Sequence, residues 1–301
     1  MRLLLVDGHY FLYRSFFAIR GLTNSRGEPT NAIYGFVKAL RKMIADVKPD
    51  LGAVIWDCGL PERRTQLQPE YKQNRPSMPD EMRSQEHWLQ EHIALFGPAS
   101  LSLPNTEADD LIASYARAAV REGVDVVVAT NDKDILQIVS PSILIYSTNK
   151  ADAGTAGFAL LGEDAVRAKW GVDPARIAEV LALTGDTSDN IPGVPGVGEK
   201  TAAQLIRQFG TVENLLNRAG EIPSAKVREK ILAARDLILA NRRMVALDDD
   251  LALPQPLTAL ALRPDYPALI EAIKACEFKS LLKEIEAEAQ ARTTPTQGEL
   301  L

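Results

Sequence analysis

Only two cysteines, Cys58 and Cys276, occur in the 301 residues, so a disulfide framework is excluded and a reducing cytoplasm is the expected setting. The three histidines, His9, His87 and His92, are scattered. No His or Cys grouping has zinc spacing, which disfavours zinc. No apolar run approaches the ~18 residues that a membrane span needs. The apolar stretch after Met1 is too short for a signal peptide. No Gly-Lys-Ser/Thr ending follows the glycine-rich segment at 193–198, which argues against an NTP-binding loop. Positive charge is also short: the net charge is -6, which at face value speaks against a nucleic-acid partner.

Acid is present in unusual places. Nine carboxylates fall in five clusters: Asp7; Asp57; Glu107, Asp109 and Asp110; Asp132 and Asp134; Asp186 and Asp189. Short apolar runs at Leu3 to Val6, Leu51 to Trp56, Asp125 to Ala129 and Ile143 to Tyr146 read as strands. Apolar residues at helical spacing lie between them, from Ile33 to Val47 and from Ala108 to Ala119, with Asn105 or Thr106 as cap of the second helix. Strands alternating with helices predict an α/β fold with a mainly parallel central sheet flanked by helices. Ligand sites in such sheets lie outside the carboxyl ends of the strands. Asp7, Asp57, Asp132 and Asp134 all follow predicted strands. Each cluster alone is explained by ordinary turn, cap or helix-terminus chemistry. Five clusters at one edge exceed what caps and turns need, and such charge requires a counter-ion. Hard divalent cations with oxygen ligands supply it, Mg2+ first and Mn2+ tolerated. Carboxylate clusters holding two metal ions point to phosphodiester hydrolysis.

With nine acids assigned to metal, the remaining net charge of -6 becomes +3. Between Gly198 and Arg243, nine Lys or Arg face five Asp or Glu, a patch able to hold a phosphate backbone. Ile191-Pro192-Gly193-Val194-Pro195-Gly196-Val197-Gly198 leads into a predicted helix, with Lys200 close behind. Gly196 and Gly198 allow close backbone approach and the helix start offers free N–H groups, a phosphate site of the helix-hairpin-helix kind. The proline-broken stretch from Leu60 to Pro79 carries Arg63, Arg64, Tyr71, Lys72 and Arg75. It reads as a mobile excursion able to clamp a single strand by charge and stacking. Strand signals fade after Asp164, Asp248 to Pro256 reads as an acidic linker, and Leu269 to Ile285 reads as one further helix.

The chain resembles the structure-specific 5′ nucleases, both flap endonucleases and the 5′-3′ exonuclease domain of bacterial DNA polymerase I. The motifs that carry the resemblance are Leu5-Val6-Asp7-Gly8, Thr23-Asn24-Ser25-Arg26-Gly27-Glu28-Pro29, Tyr71-Lys72-Gln73-Asn74-Arg75-Pro76, Glu107-Ala108-Asp109-Asp110, Asp132-Lys133-Asp134 and Leu183-Thr184-Gly185-Asp186-Thr187-Ser188-Asp189-Asn190. The resemblance implies a PIN-like 5′-3′ exonuclease fold and a Mg-dependent two-metal mechanism. Asp7, Asp57, Glu107, Asp109 and Asp110 would form the first metal group, and Asp132, Asp134, Asp186 and Asp189 the second, with Asp109 or Asp110 bridging. It implies a helical arch at 60–98, with Lys72 and Arg75 at the scissile phosphate, and a helix-three-turn-helix element that binds K+. The expected domains are a nuclease domain at 1–175, a helical DNA-binding domain at 176–290 and a tail at 291–301. DNA with 5′ flaps, nicks or 5′ ends, and RNA primers, are the expected substrates of a monomer. Glu277-Phe278-Lys279-Ser280 matches the close of the nuclease domain, so the expectation is a nuclease acting without a polymerase domain. Two other readings are a DNA-structure-binding protein with little nuclease activity and a PIN-like ribonuclease.

Overall fold

The structure, a computed structural model, describes residues 1–155 and 157–293; residues 294–301 of the expected tail lie outside them. The chain runs β1 (Arg2–Asp7), α1 (Gly8–Ala18), α2 (Asn31–Val47), β2 (Leu51–Ile55), α3 (Glu62–Leu67), α4 (Asp80–His92), β3 (Ala99–Leu101), α5 (Ala108–Arg121), β4 (Asp125–Ala129) and β5 (Ile143–Ser147). It continues through α6 (Lys150–Ala153), β6 (Ala159–Leu161), α7 (Glu163–Trp170), α8 (Ile177–Thr184), α9 (Glu199–Phe209), α10 (Val212–Asn217), α11 (Ala225–Ala233), α12 (Arg235–Met244), α13 (Tyr266–Ala275) and α14 (Lys279–Thr293).

One sheet carries the order β3-β2-β1-β4-β5-β6. All pairings are parallel except β5 with β6. The order reverses between β1 and β4, which makes the crevice beyond their carboxyl ends the natural ligand site. Alternate residues of each strand go to opposite faces. Leu3, Leu5, Val126 and Val128 join a core with α5, α8 and α9. Leu4, Val6, Val127 and Ala129 join another with α1, α2, α4, α13 and α14.

Three local expectations change. Glu107, not Asn105 or Thr106, stands at the N-cap position of α5, without a side-chain capping bond. The single helix expected from Leu269 to Ile285 is two, because Cys276 to Phe278 turns through a positive φ of 61° at Glu277. Both join the core that holds Phe36 and Leu40 of α2, and Glu277 accepts from the Ser25 amide at 3.0 Å. The excursion from Leu60 is folded: Arg64 and Tyr71 are only 4% and 3% exposed.

The loop after α8 is closed on itself by backbone contacts. Asp186 and Ile191 exchange two backbone hydrogen bonds, at 2.8 and 2.7 Å. Gly185 has φ +69°, and a Cβ there would lie 2.4 Å from the Gly193 nitrogen. Gly185→Ala therefore combines a left-handed backbone with a backbone clash. Urea unfolding is expected to report a loss of about 2–4 kcal/mol, and a loss below about 1 kcal/mol would contradict this packing.

Candidate metal centre

The carboxylates meet at the carboxyl edge of the sheet. Asp7 ends β1 and caps α1, its Oδ1 accepting from the Tyr10 amide at 2.9 Å. Its Oδ2 accepts from the Thr130 hydroxyl at 2.9 Å, and the Asp132 amide donates to the same hydroxyl at 3.1 Å. Thr130 thus ties the end of β4 to the end of β1. Asp57 Oδ1 accepts from the Ala108 amide at 2.7 Å, fastening the β2 end to the start of α5. His9 braces this corner: Nδ1 accepts from the Asp57 amide at 3.1 Å, and Nε2 lies 2.8 Å from Glu86. Burial opposes protonation of His9, but the hydrogen bond to Glu86 and the charge of Asp57 outweigh it and raise its pKa. Thr130, His9 and Glu86 were not legible as site residues, because each acts through another residue and none belongs to an acidic cluster.

Oxygen atoms of Asp134, Asp186 and Asp189 lie within 4.8 Å of one another. Burial, then the charge of Asp57, pushes the Asp7 carboxyl up to about 6. Burial, followed by Asp132 and Asp7, drives Asp109 well above the usual carboxylate range. Asp134 goes the same way through burial and then Asp132 and Asp186. One buried oxygen of Asp134, Oδ1, has no hydrogen-bond partner. Crowded acids forced toward protonation, with an orphaned oxygen among them, fit a hard divalent cation.

Cations from the excursion hold the other side. Arg64 grips Asp110 with two bonds, at 2.6 and 2.8 Å, and also pairs with Glu107. Asp110, 1% exposed, meets Arg64 through both of its oxygens, while the charges that act on Asp109 are Asp132, Asp7, Asp134 and Asp57. The Tyr71 hydroxyl lies 3.1 Å from Glu107 and 3.0 Å from Asp189, with one proton to share between the two carboxylates. Lys72 pairs with Glu107 and lies 3.6 Å from Asp189, and Arg75 pairs with Asp189. Burial alone would raise Asp189; Lys72 and Arg75 together hold it below the usual range. Lys133 pairs with Asp186 at 3.0 Å.

The excursion is also bolted to the Asp186–Asp189 loop by backbone. Lys72, at φ 56°, donates its amide N–H to the Asp189 carbonyl at 3.1 Å, and the Asn74 side-chain amide donates to the Thr187 carbonyl at 2.8 Å. Arg64 and Tyr71, expected to contact DNA, are instead buried internal partners of the acids. Arg63 is turned to the Arg243 and Ala246 carbonyls and to Asp248. Gly196, Gly198 and Lys200 are exposed where α9 begins.

Residues 2–171 match the family described as "5'-3' exonuclease, N-terminal resolvase-like domain", and residues 172–268 match "5'-3' exonuclease, C-terminal SAM fold". The chain belongs to the 5′-3′ exonuclease family. Within that family, the 5′-3′ exonuclease of Aquifex aeolicus is 36% identical over 94% of this chain and 95% of its own length. DNA polymerase I of Bacillus caldotenax is 36% identical over 98% of this chain but only 33% of the polymerase. The chain thus spans about a third of such polymerase relatives. Among solved structures, the T5 D15 protein co-crystallised with metal ions is 20% identical at TM-score 0.64, covering 98% of this chain and 100% of its own. The T5 5′-exonuclease is also described with divalent zinc bound. The catalytic core of Rad2 in complex with DNA substrate is 16% identical at TM-score 0.59, covering 91% of this chain and 87% of its own. These likenesses show a shared fold, with the mostly parallel sheet and the helical second part expected of it. No helix among the described residues is long and apolar enough to cross a membrane.

Proposed function

We propose that the chain is a Mg-dependent structure-specific 5′ nuclease that hydrolyses DNA at flaps, nicks or 5′ ends in replication and repair, with RNA primers among its substrates. The convergence of Asp134, Asp186 and Asp189 beside an unpartnered Asp134 oxygen carries the reading. Two Mg2+ ions, or Mn2+, would be held by Asp7, Asp57, Glu107, Asp109, Asp110, Asp132, Asp134, Asp186 and Asp189, and would supply hydroxide at neutral pH and stabilise the leaving oxygen. Lys72 and Arg75 bind the scissile phosphate, trading the carboxylates for substrate. Arg63 and the α9 start, with Gly196, Gly198 and Lys200, grip backbone phosphates, and K+ binds at that loop. Residues 60–98 act as the arch, 1–175 as the nuclease domain and 176–290 as the DNA-binding domain. The protein works as a cytoplasmic monomer.

The test is cleavage of a 5′-labelled flap duplex with Mg2+ and with EDTA. Metal-dependent products near the junction support the reading; binding without cleavage would leave a DNA-structure-binding protein. Lys72→Ala is expected to lower turnover more than duplex affinity, and equal losses would remove its role at the phosphate.

Metal should also stabilise. Asp7 binds its proton more tightly when folded, its pKa rising from 3.8 to about 6. In the metal-free protein its favourable contribution is full below about pH 4 and disappears as pH rises through about 6. The cost at neutral pH is on the order of 2–3 kcal/mol. Mg2+ should therefore raise the melting temperature more at pH 7.5 than at pH 5. Equal shifts at both pH values would contradict the crowding of these acids.

A further inference from the structure

Beside the carboxylates lies a recess that the nuclease reading leaves unused. It opens among the ends of β4 and β5, α6, β6 and α7, and holds about 100 Å³. Its floor is apolar, built from Leu136, Ile145, Leu161 and Val166, while the amides of Asn131 and Asn149 stand at its rim. Trp170 lines it as well, and the Trp170 indole N–H is buried with no hydrogen-bond partner. Buried donors are almost always satisfied, so this one calls for an acceptor.

Charge narrows the occupant. Lys133 and Lys169 are matched in the lining by Asp132 and Asp152. Lys133 is already paired with Asp186, and Asp152 accepts from the Ser147 hydroxyl at 2.7 Å. A balanced, apolar-floored recess does not select an anion. It suits a small planar ring with both donors and acceptors on its edge, for which amides and an indole N–H are natural partners. At about 100 Å³ the open recess is smaller than the ~150 Å³ closed cavity that holds benzene, so it admits at most one six-membered ring, partly seated, and excludes a purine. Asp132 belongs both to this lining and to the carboxylate cluster, so one nucleotide can span the two.

We propose that the recess receives one unpaired pyrimidine nucleobase of the strand being cut, with its phosphate toward Asp132. The proposal rests on the nuclease reading and adds a base-holding subsite to it. Extrusion is least costly for a base that is already single-stranded, so the subsite favours unpaired 5′ ends.

The indole N–H resonances of Trp56, Trp88 and Trp170 are separable by NMR, with Trp170→Phe assigning the third. Thymidine, which carries no phosphate, is titrated into the full chain with Mg2+ present, and inorganic phosphate is titrated separately. The Trp170 resonance should shift with thymidine and not with phosphate. Ala165→Leu, which fills the mouth from a half-buried helix position, should abolish the shift, leave the Trp56 and Trp88 resonances in place and raise KM for a flap about tenfold. A Trp170 resonance unmoved by about 20 mM thymidine, or moved by phosphate alone, overturns the proposal. Metal-dependent cleavage without a thymidine shift removes this subsite and leaves the nuclease reading intact. A thymidine shift without cleavage removes the nuclease reading and leaves a nucleobase site.

Discussion

Asp134→Asn and Asp186→Asn should each lower kcat for flap cleavage by about 10³-fold, equivalent to ~4 kcal/mol, while duplex affinity stays nearly constant. Both acids belong to the trio whose oxygens lie within 4.8 Å, and neither is needed for phosphate contact at the exposed start of α9. Stability should move the other way for Asp134. Its carboxyl is forced up by burial and by Asp132, Asp186 and Asp189, so a neutral amide relieves the metal-free protein. Calorimetry in EDTA should show Asp134→Asn melting above wild type, with the order reversing in Mg2+. A variant that loses activity and melts lower in both conditions would mean a structural carboxylate rather than a ligand.

Arg64→Ala should be among the most damaging single changes outside the acids. Its guanidinium binds Asp110 through two bonds, pairs with Glu107, and donates to the Met244 carbonyl at 3.0 Å. Removing one member of a buried ion pair leaves its partners desolvated and uncompensated, which costs about 3–5 kcal/mol. Arg64→Lys should recover only part of that, since an ammonium cannot form the two-pronged contact. Urea unfolding of both variants checks this, and a loss under about 1 kcal/mol for Arg64→Ala would show that the network is dispensable.

The sheet edge was readable because strand ends and acids coincide in sequence: Val6 before Asp7, and Ala129 three positions before Asp132. Continuous apolar runs reveal strands buried on both faces, and parallel topology then fixes where their ends converge. The roles of Arg64 and Tyr71 were not readable. In sequence, a basic residue in a proline-broken stretch looks the same whether it faces solvent or a buried carboxylate, and only the return of the 60–75 segment against α5 decides it. The break between α13 and α14 was hidden for a related reason, since Glu277 adopts φ 61° without a glycine to announce it. β6, three residues long and antiparallel, is too short for its period to stand out.

The core that α13 and α14 share with Phe36 and Leu40 of α2 bears on how the chain emerges from the ribosome. Helices α2 and α4 are made in the first third of synthesis, yet the core they share with α13 and α14 stays incomplete until residues beyond 266 appear. At roughly 5–20 residues per second, that leaves roughly 9–35 seconds during which the half-built chain exposes the apolar side chains its last helices will cover.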